Sequence, residues 1–422
     1  MKIPHPKNII DFCAAMLYNI ISLPVGFRFG QRARHSCAVA GAKLRGNMYS
    51  VSEHWATVQP TLFPSLEDEL GELGEDERLF VKVAEELDLD AIIGRKGKWK
   101  RKWTGRPPAS ATAIFKAFVF KAVFNFPTTS ALVASIRSAP RHRRLCGWEA
   151  LGEVPSESSF SRYFDDFAED GTALLAFNAF VAKVSEGRVA MNASFDSTKV
   201  EARERAATSG EKAAALEAAR VRAEIADGKA DPNALALQRR RDAQKNISLL
   251  PTLCDRGRKR DSKGNAECWT GYKLHLAVVD GDIPVGAVLT SASMHDSKAI
   301  IPLMQDVDGR TEYRYCLADA AYDAREIREC GGDLGHVPVI DPNRRRGGDA
   351  AKLSATEAER RVRIVPADKA RYRARSGVER VNGHLHDAHG GRFVRVRGAK
   401  KVFLHLLFGL LVIAVEQASA IL

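Results

Sequence analysis

Two apolar runs, Tyr272 to Val279 and Ile283 to Thr290, are separated only by Asp280-Gly281-Asp282. A three-residue turn of this composition between β-rich runs predicts a hairpin. The hairpin therefore commits the middle of the chain to an antiparallel pair, and other strands must join it to bury its apolar faces.

Three further segments qualify. From Val189 to Asp196 the chain alternates, with Val189, Met191, Ala193 and Phe195 on one face and Asn192, Ser194 and Asp196 on the other. That is the period of a half-buried strand, with Asp196 at its end and pointing away from the core. Tyr313 to Ala318 is a short apolar run suited to a central strand, and Asp319 follows at its carboxyl end, where ligand sites of open α/β sheets gather. His336 to Asp341 supplies the last strand. After it, Arg371 to Ala388 is helical: Val378, Val381 and Leu385 recur at helical spacing beside a polar stripe of Tyr372, Arg375, Glu379, Asn382 and His386.

Asp196, Asp319 and Glu379 thus lie on two strands and one helix, an arrangement able to hold two divalent cations against a phosphodiester. An isolated Asp at a strand end is usually a turn former or a cap, and a Glu flanked by Arg is usually a solvated ion pair. The order strand-Asp, hairpin, strand-Asp, helix-Glu carries the argument.

In that order, and in Phe195-Asp196-Ser197-Thr198, Thr270-Gly271-Tyr272-Lys273-Leu274-His275, Ala292-Ser293-Met294-His295-Asp296-Ser297, Leu317-Ala318-Asp319-Ala320-Ala321-Tyr322-Asp323 and the Glu379 helix, the chain resembles a DDE transposase of a bacterial insertion sequence. The resemblance covers residues 185 to 415. It implies an α/β, RNase H-like core with a mixed five-stranded sheet and flanking helices, preceded by an N-terminal all-α domain and interrupted by a helical charged insertion. It also implies catalysis by Asp196, Asp319 and Glu379 with two Mg²⁺ or Mn²⁺ ions about 3.5 to 4 Å apart, cutting element ends and joining the 3′-OH to target DNA. The implied partners are double-stranded DNA, as terminal inverted repeats and target, and a second copy of the chain. In many relatives the Glu helix carries Tyr, two residues, Arg, three residues, Glu, six residues, Lys. Tyr372, Arg375 and Glu379 match, but His386 stands at the final position. A nuclease without strand transfer and a DNA-binding protein without catalysis are the competing readings.

Oxygen donors suit Mg²⁺ or Mn²⁺, and the sequence has no His/Cys cluster at zinc spacing. With 64 Lys plus Arg against 52 Asp plus Glu, the net charge is +12, which favours polyanionic partners. Seven cysteines, scattered without a C-x-x-C pair, fit a reducing cytoplasm, where the chain would associate with the nucleoid. The apolar run Ile9 to Leu23 is broken by Asp11 and Asn19, and Val402 to Val415 is too short for a membrane span.

The domain reading runs in three parts. Residues 1 to 90 form an N-terminal helical segment. Residues 91 to 182 hold a basic loop and a helical DNA-binding domain, and 183 to 422 the catalytic domain with its insertion at about 201 to 265. In the loop, Lys98, Trp99, Lys100, Arg101, Lys102 and Arg106 have the composition of a DNA-backbone contact. Pro155-Ser156-Glu157 reads as a capped helix start. Arg137, Arg141, Arg143 and Arg144 favour DNA binding by the helices over a plain bundle. The insertion begins helical and ends in a flexible charge run, Arg256-Gly257-Arg258-Lys259-Arg260.

Overall fold

The computed structural model describes residues 69–94, 108–227, 233–260, 265–341, 366–392 and 394–421. The basic loop with Lys98, Trp99, Lys100, Arg101, Lys102 and Arg106, and the apolar run at 9–23, lie outside the described residues.

Helices come first. The longer ones are α1 (Glu75–Glu86), α2 (Ala111–Val123), α3 (Thr129–Ser138), α4 (Glu157–Asp170) and α5 (Thr172–Ser185). Hydroxyls cap three of them: Ser110 accepts from the Ala113 amide, Thr128 from Ala131, and Ser156 from Ser159, as the sequence led us to expect for Ser156.

The sheet follows. Strand β1 (Val189–Glu201) pairs antiparallel with β3 (Ala266–Val279) and parallel with β5 (Glu312–Ala318), and β5 pairs parallel with β6 (Val337–Ile340). Strand β4 (Ile283–Ser291) lies along the C-terminal part of β3, and β2 (Asp255–Arg260) along its N-terminal part. Helix α6 (Ser209–Asp227) belongs to the insertion, α7 (Ser297–Asp308) joins β4 to β5, and α8 (Arg325–Asp333) makes the crossover from β5 to β6. Helices α9 (Ser376–Ala388) and α10 (Ala399–Ile421) close the fold.

Three expectations are corrected. The sheet has six strands rather than five, because the charge run Asp255–Arg260 is strand β2 rather than a flexible tail. Trp269 explains part of this: it packs over Gly257, where a Cβ would lie 2.4 Å from the indole, and its Nε1 donates to the Tyr272 carbonyl at 3.1 Å. Next, β1 does not end at Asp196. It runs on to Glu201, with Ser197–Glu201 paired to Gly271–His275 of β3. Finally, Val189 and Met191 are 62% and 56% exposed, since packing covers their face of β1 only from Ala193 onward.

The two faces of the sheet have different covers. Gly286 of β4 and its partner Ala277 face α7, close enough that a Cβ on Gly286 would sit 2.4 Å from Val307. Helix α9 lies against β1 and β3 on the opposite face. The hairpin turn Asp280-Gly281-Asp282, with φ of +82° at Gly281 and +61° at Asp282, ties two neighbours together. Asp280 accepts from the backbone and side chain of Asn192 on β1, each at 2.8 Å, and Asp282 pairs with Arg380 on α9.

Helix α10 is longer than the apolar run read from the sequence, and it is long and apolar enough by composition to cross a membrane. Its residues Leu406–Val415 are instead buried within the protein, where α10 packs on β4, α1, α2, α4, α5 and α9. Phe408 is the hub, with ring centroids 4.9 Å from Phe115 and 5.7 Å from Phe118 of α2.

Candidate active site

Strand register builds the site. Phe195 of β1 is the parallel partner of Ala318 of β5, so the next residues, Asp196 and Asp319, occupy adjacent positions on neighbouring strands. They face the side of the sheet covered by α9, because Leu317, two residues before Asp319, packs with Val339 against Tyr372 and Ala374. Asp319 also caps the short turn Ala320–Tyr322, with its Oδ1 accepting from the Ala321 amide at 2.8 Å.

Glu379 arrives from α9. The polar stripe predicted for residues 371 to 388 is divided between the helical turn Pro366–Tyr372, a 3₁₀ turn over Arg373–Arg375, and α9. The junction leaves Arg375 between two carboxylates: its Nη2 donates to Glu379 Oε1 at 2.6 Å, and its Nη1 lies 3.8 Å from Asp196 Oδ2. Ser194 Oγ, one strand repeat before Asp196, donates to the Ala374 carbonyl at 3.3 Å and fixes this crossing.

Asp196 is mostly buried, its side chain 16% exposed. Burial pushes its carboxyl up to about 6; the Asp319 charge adds to the rise, while the Ser197 amide, Lys259 and Arg375 oppose it. Glu379 is by contrast half-exposed, at 53%.

The remainder of the stripe continues along β1. His386 Nε2 lies 3.1 Å from Thr198 Oγ1, and burial lowers the imidazole pKa. Asn382 is buried, and its Oδ1 has no hydrogen-bond partner among the described residues. Together with Lys199 and Arg392, these residues line a cavity of about 430 Å³ beside the carboxylates. Tyr372 packs half-buried against Leu317 and Val339, with the Arg375 guanidinium 5.6 Å from its ring centroid.

Sequence reasoning passed over two contributors. Lys259 acts on Asp196 from β2, the strand hidden in a charge run. Behind Asp196, on the α7 side, Asp296 accepts from Lys273 Nζ at 2.8 Å and is bonded to Ser197; burial raises its carboxyl, but Lys273, His275 and Ser197 together outweigh that and leave it lowered. Lys273, His275 and Asp296 stood in the resembling segments without a role. The four arginines of the helical region are committed within the fold. Arg141 donates to the carbonyls of Leu70, Gly71 and Glu72, Arg137 to Pro155, and Arg143 to Glu149, while Arg144 pairs with Glu149 at 3.2 Å.

These features define a mixed α/β protein in which two strand-borne aspartates and a helix-borne glutamate gather on one face of the sheet. The family described as "Transposase DDE domain" matches residues 195–415, more than half of the chain, and the chain belongs to it: this is a DDE-type transposase, as in insertion-sequence elements. A second family, "Transposase domain (DUF772)", matches residues 68–166, the region of α1 to α4. No curated protein and no solved structure matches the chain significantly.

Proposed function

We propose that this transposase cleaves DNA at insertion-sequence ends and transfers the 3′-OH strand into target DNA on an RNase H-like core, with Asp196, Asp319 and Glu379 as its catalytic carboxylates. The observation that carries this reading is Arg375, which spans Asp196 and Glu379 while strand register sets Asp319 beside Asp196.

The donor set fits hard divalent cations. All three groups are oxygen donors, and burial and the Asp319 charge leave the Asp196 carboxylate short of positive compensation. Asp196, Asp319 and Glu379 would hold Mg²⁺ or Mn²⁺, two ions per site, which when bound supply activation of the attacking oxygen and stabilisation of the leaving one. Arg375 orients Glu379 and offers a planar fork to a phosphate oxygen. Asn382 and His386 line the neighbouring cavity, where the DNA strand beyond the scissile phosphate would run, and Tyr372 would contact DNA beside Arg375. His386, paired with Thr198, takes the lysine position of relatives as a neutral donor. Lys98, Trp99, Lys100, Arg101, Lys102 and Arg106 would grip DNA backbone. Pairing of two element ends calls for a homodimer on double-stranded DNA.

The test is cleavage and strand transfer on DNA bearing the flanking inverted repeats, with Mg²⁺ or Mn²⁺, comparing the parent with Asp196→Ala, Asp319→Ala and Glu379→Ala. The reading predicts joined products from the parent and inactive variants that still bind DNA. Activity surviving one substitution removes that residue from the site, and cutting without joining establishes a nuclease instead.

A further inference from the structure

A second group of ligand-type side chains lies at the crossing of α9 and α10. His384 near the end of α9, His389 just after it and Glu416 on α10 bring one ligand atom each within 4.8 Å of one another. His384 Nε2 is 3.2 Å from His389 Nε2 and 3.6 Å from Glu416 Oε2. Two donors each about 2.0 to 2.1 Å from a tetrahedral zinc lie about 3.4 Å apart, so both separations match a shared ion.

Proton counting argues against a plain hydrogen-bonded cluster. His389 Nδ1 lies 3.1 Å from the Ala122 carbonyl, which can only accept, so in the neutral ring the proton sits on Nδ1 and Nε2 presents a lone pair. Glu416 Oε2 is buried as an atom and has no hydrogen-bond partner among the described residues. Among the described residues, the only proton between these two acceptors is one on His384 Nε2, which can satisfy one of them. Three donor atoms with at most one proton among them make a coordination set. The Ala122 carbonyl is also the kind of outer partner that fixes the tautomer of a ligating histidine.

The backbone is shaped for this approach. Gly409 of α10 lies where a Cβ would meet the His389 carbonyl at 2.7 Å, so glycine lets the helices close on each other. Glu416 is seven residues further on, two helical turns along the same face.

We propose that His384, His389 and Glu416 bind one divalent transition-metal ion, zinc by the chemistry of two imidazoles and a carboxylate, which fastens the Glu379-bearing helix to α10. The fourth position is open to water, since His384 and Glu416 are only partly buried. The site is separate from the three-carboxylate site and uses none of its residues.

The experiment titrates zinc against a chromophoric chelator, using full-length protein carrying Asp196→Asn, Asp319→Asn and Glu379→Gln so that the carboxylate site does not compete. One equivalent of zinc should bind. His384→Ala and Glu416→Gln, both partly exposed and each checked for folding by circular dichroism, should weaken it by more than about 100-fold, since loss of an outer partner alone costs about 10- to 100-fold. Cobalt(II) in place of zinc should give the visible absorption of a four-coordinate site in the carboxylate-substituted protein and lose it in both variants. Absence of a stoichiometric zinc, or unchanged affinity in folded His384→Ala and Glu416→Gln, overturns the proposal.

Discussion

Asp282, at the tip of the β3–β4 hairpin, holds Arg380 of α9 through two hydrogen bonds of 2.6 Å each. Gly377 makes room for this contact, because a Cβ there would lie 2.8 Å from Asp282 Oδ1. The hairpin that dominates the sequence therefore grips the helix one residue away from Glu379. The pair is largely exposed on the arginine side and adds at most about 1 kcal/mol to stability. Small displacements of a catalytic group cost far more than that in rate. Asp282→Ala should accordingly lower the cleavage rate about tenfold with little change in the urea midpoint, measured by single-turnover cleavage beside denaturation. Equal losses of rate and stability would assign the pair a structural role only.

The elevated Asp196 carboxyl, at about 6, sets stability against the catalytic role proposed for it. Its folded pKa lies above the unfolded value, so between pH 3.8 and 6 the folded state binds more protons and stability falls as pH rises. In metal-free buffer at pH 7.5, Asp196→Asn should therefore stabilise the protein, by up to about 3 kcal/mol at 1.36 kcal/mol per pKa unit, while abolishing cleavage. A thermal melt without divalent ions checks it, and a destabilised Asn variant would contradict the assigned environment.

Buried histidines act in the opposite sense. Burial lowers His405 to about 3 and His275 to about 4, with His405 Nε2 held 2.9 Å from the Gly390 carbonyl and His275 Nε2 2.9 Å from Thr290 Oγ1. Their folded pKa values lie below the unfolded value of 6.5, so their neutral forms are required and stability is lost as pH falls below 6.5. Each costs about 1.4 kcal/mol per pH unit, against one opposing contribution of that size from Asp196 below pH 6. Acid should win, and in Asp196→Asn the loss per pH unit between 6 and 4.5 should roughly double. Urea titrations at several pH values in that range measure the two slopes.

Phe408 anchors α10, which also packs on β4, to α2. Phe408→Ala should cost about 3 to 5 kcal/mol, the range for a buried aromatic truncation, with one cooperative transition seen by far-UV circular dichroism and tryptophan fluorescence. Two separated transitions would show that α1 to α5 melt apart from the sheet.

The parts of the fold legible in the sequence are those whose burial repeats at short period. The hairpin turn, β4, β5 and β6 are legible to within a residue because apolar alternation and a tight turn are local signals, whereas β3 starts at Ala266, six residues before the apolar run. The stripe holding Arg375 and Glu379 is legible in the same way, although Arg375 sits in the 3₁₀ turn before α9 and reaches Glu379 across that junction. Beyond Asp196 the signal stops: Lys199 and Glu201 give no apolar alternation, and only the register with β3 keeps β1 extended to Glu201. Strand β2 was hidden for the same reason, as its charges resemble a solvated run until Trp269 covers Gly257. The structural contacts of Arg141 left no trace in the sequence, because the carbonyls it satisfies lie about 70 residues upstream, at Leu70, Gly71 and Glu72. Contacts of that separation leave no periodic trace.

The position of α10 has a temporal side. Phe408 follows Phe115 by 408 − 115 = 293 residues, which takes roughly 15 to 60 s to synthesise at about 5 to 20 residues per second. During that interval α1 to α5 have emerged while the helix they pack against does not yet exist. Nascent chains of this transposase must spend that time with exposed phenylalanines, so the step that completes the helical region is among the last in its biogenesis, and a chaperone holding the early helices would act upstream of it.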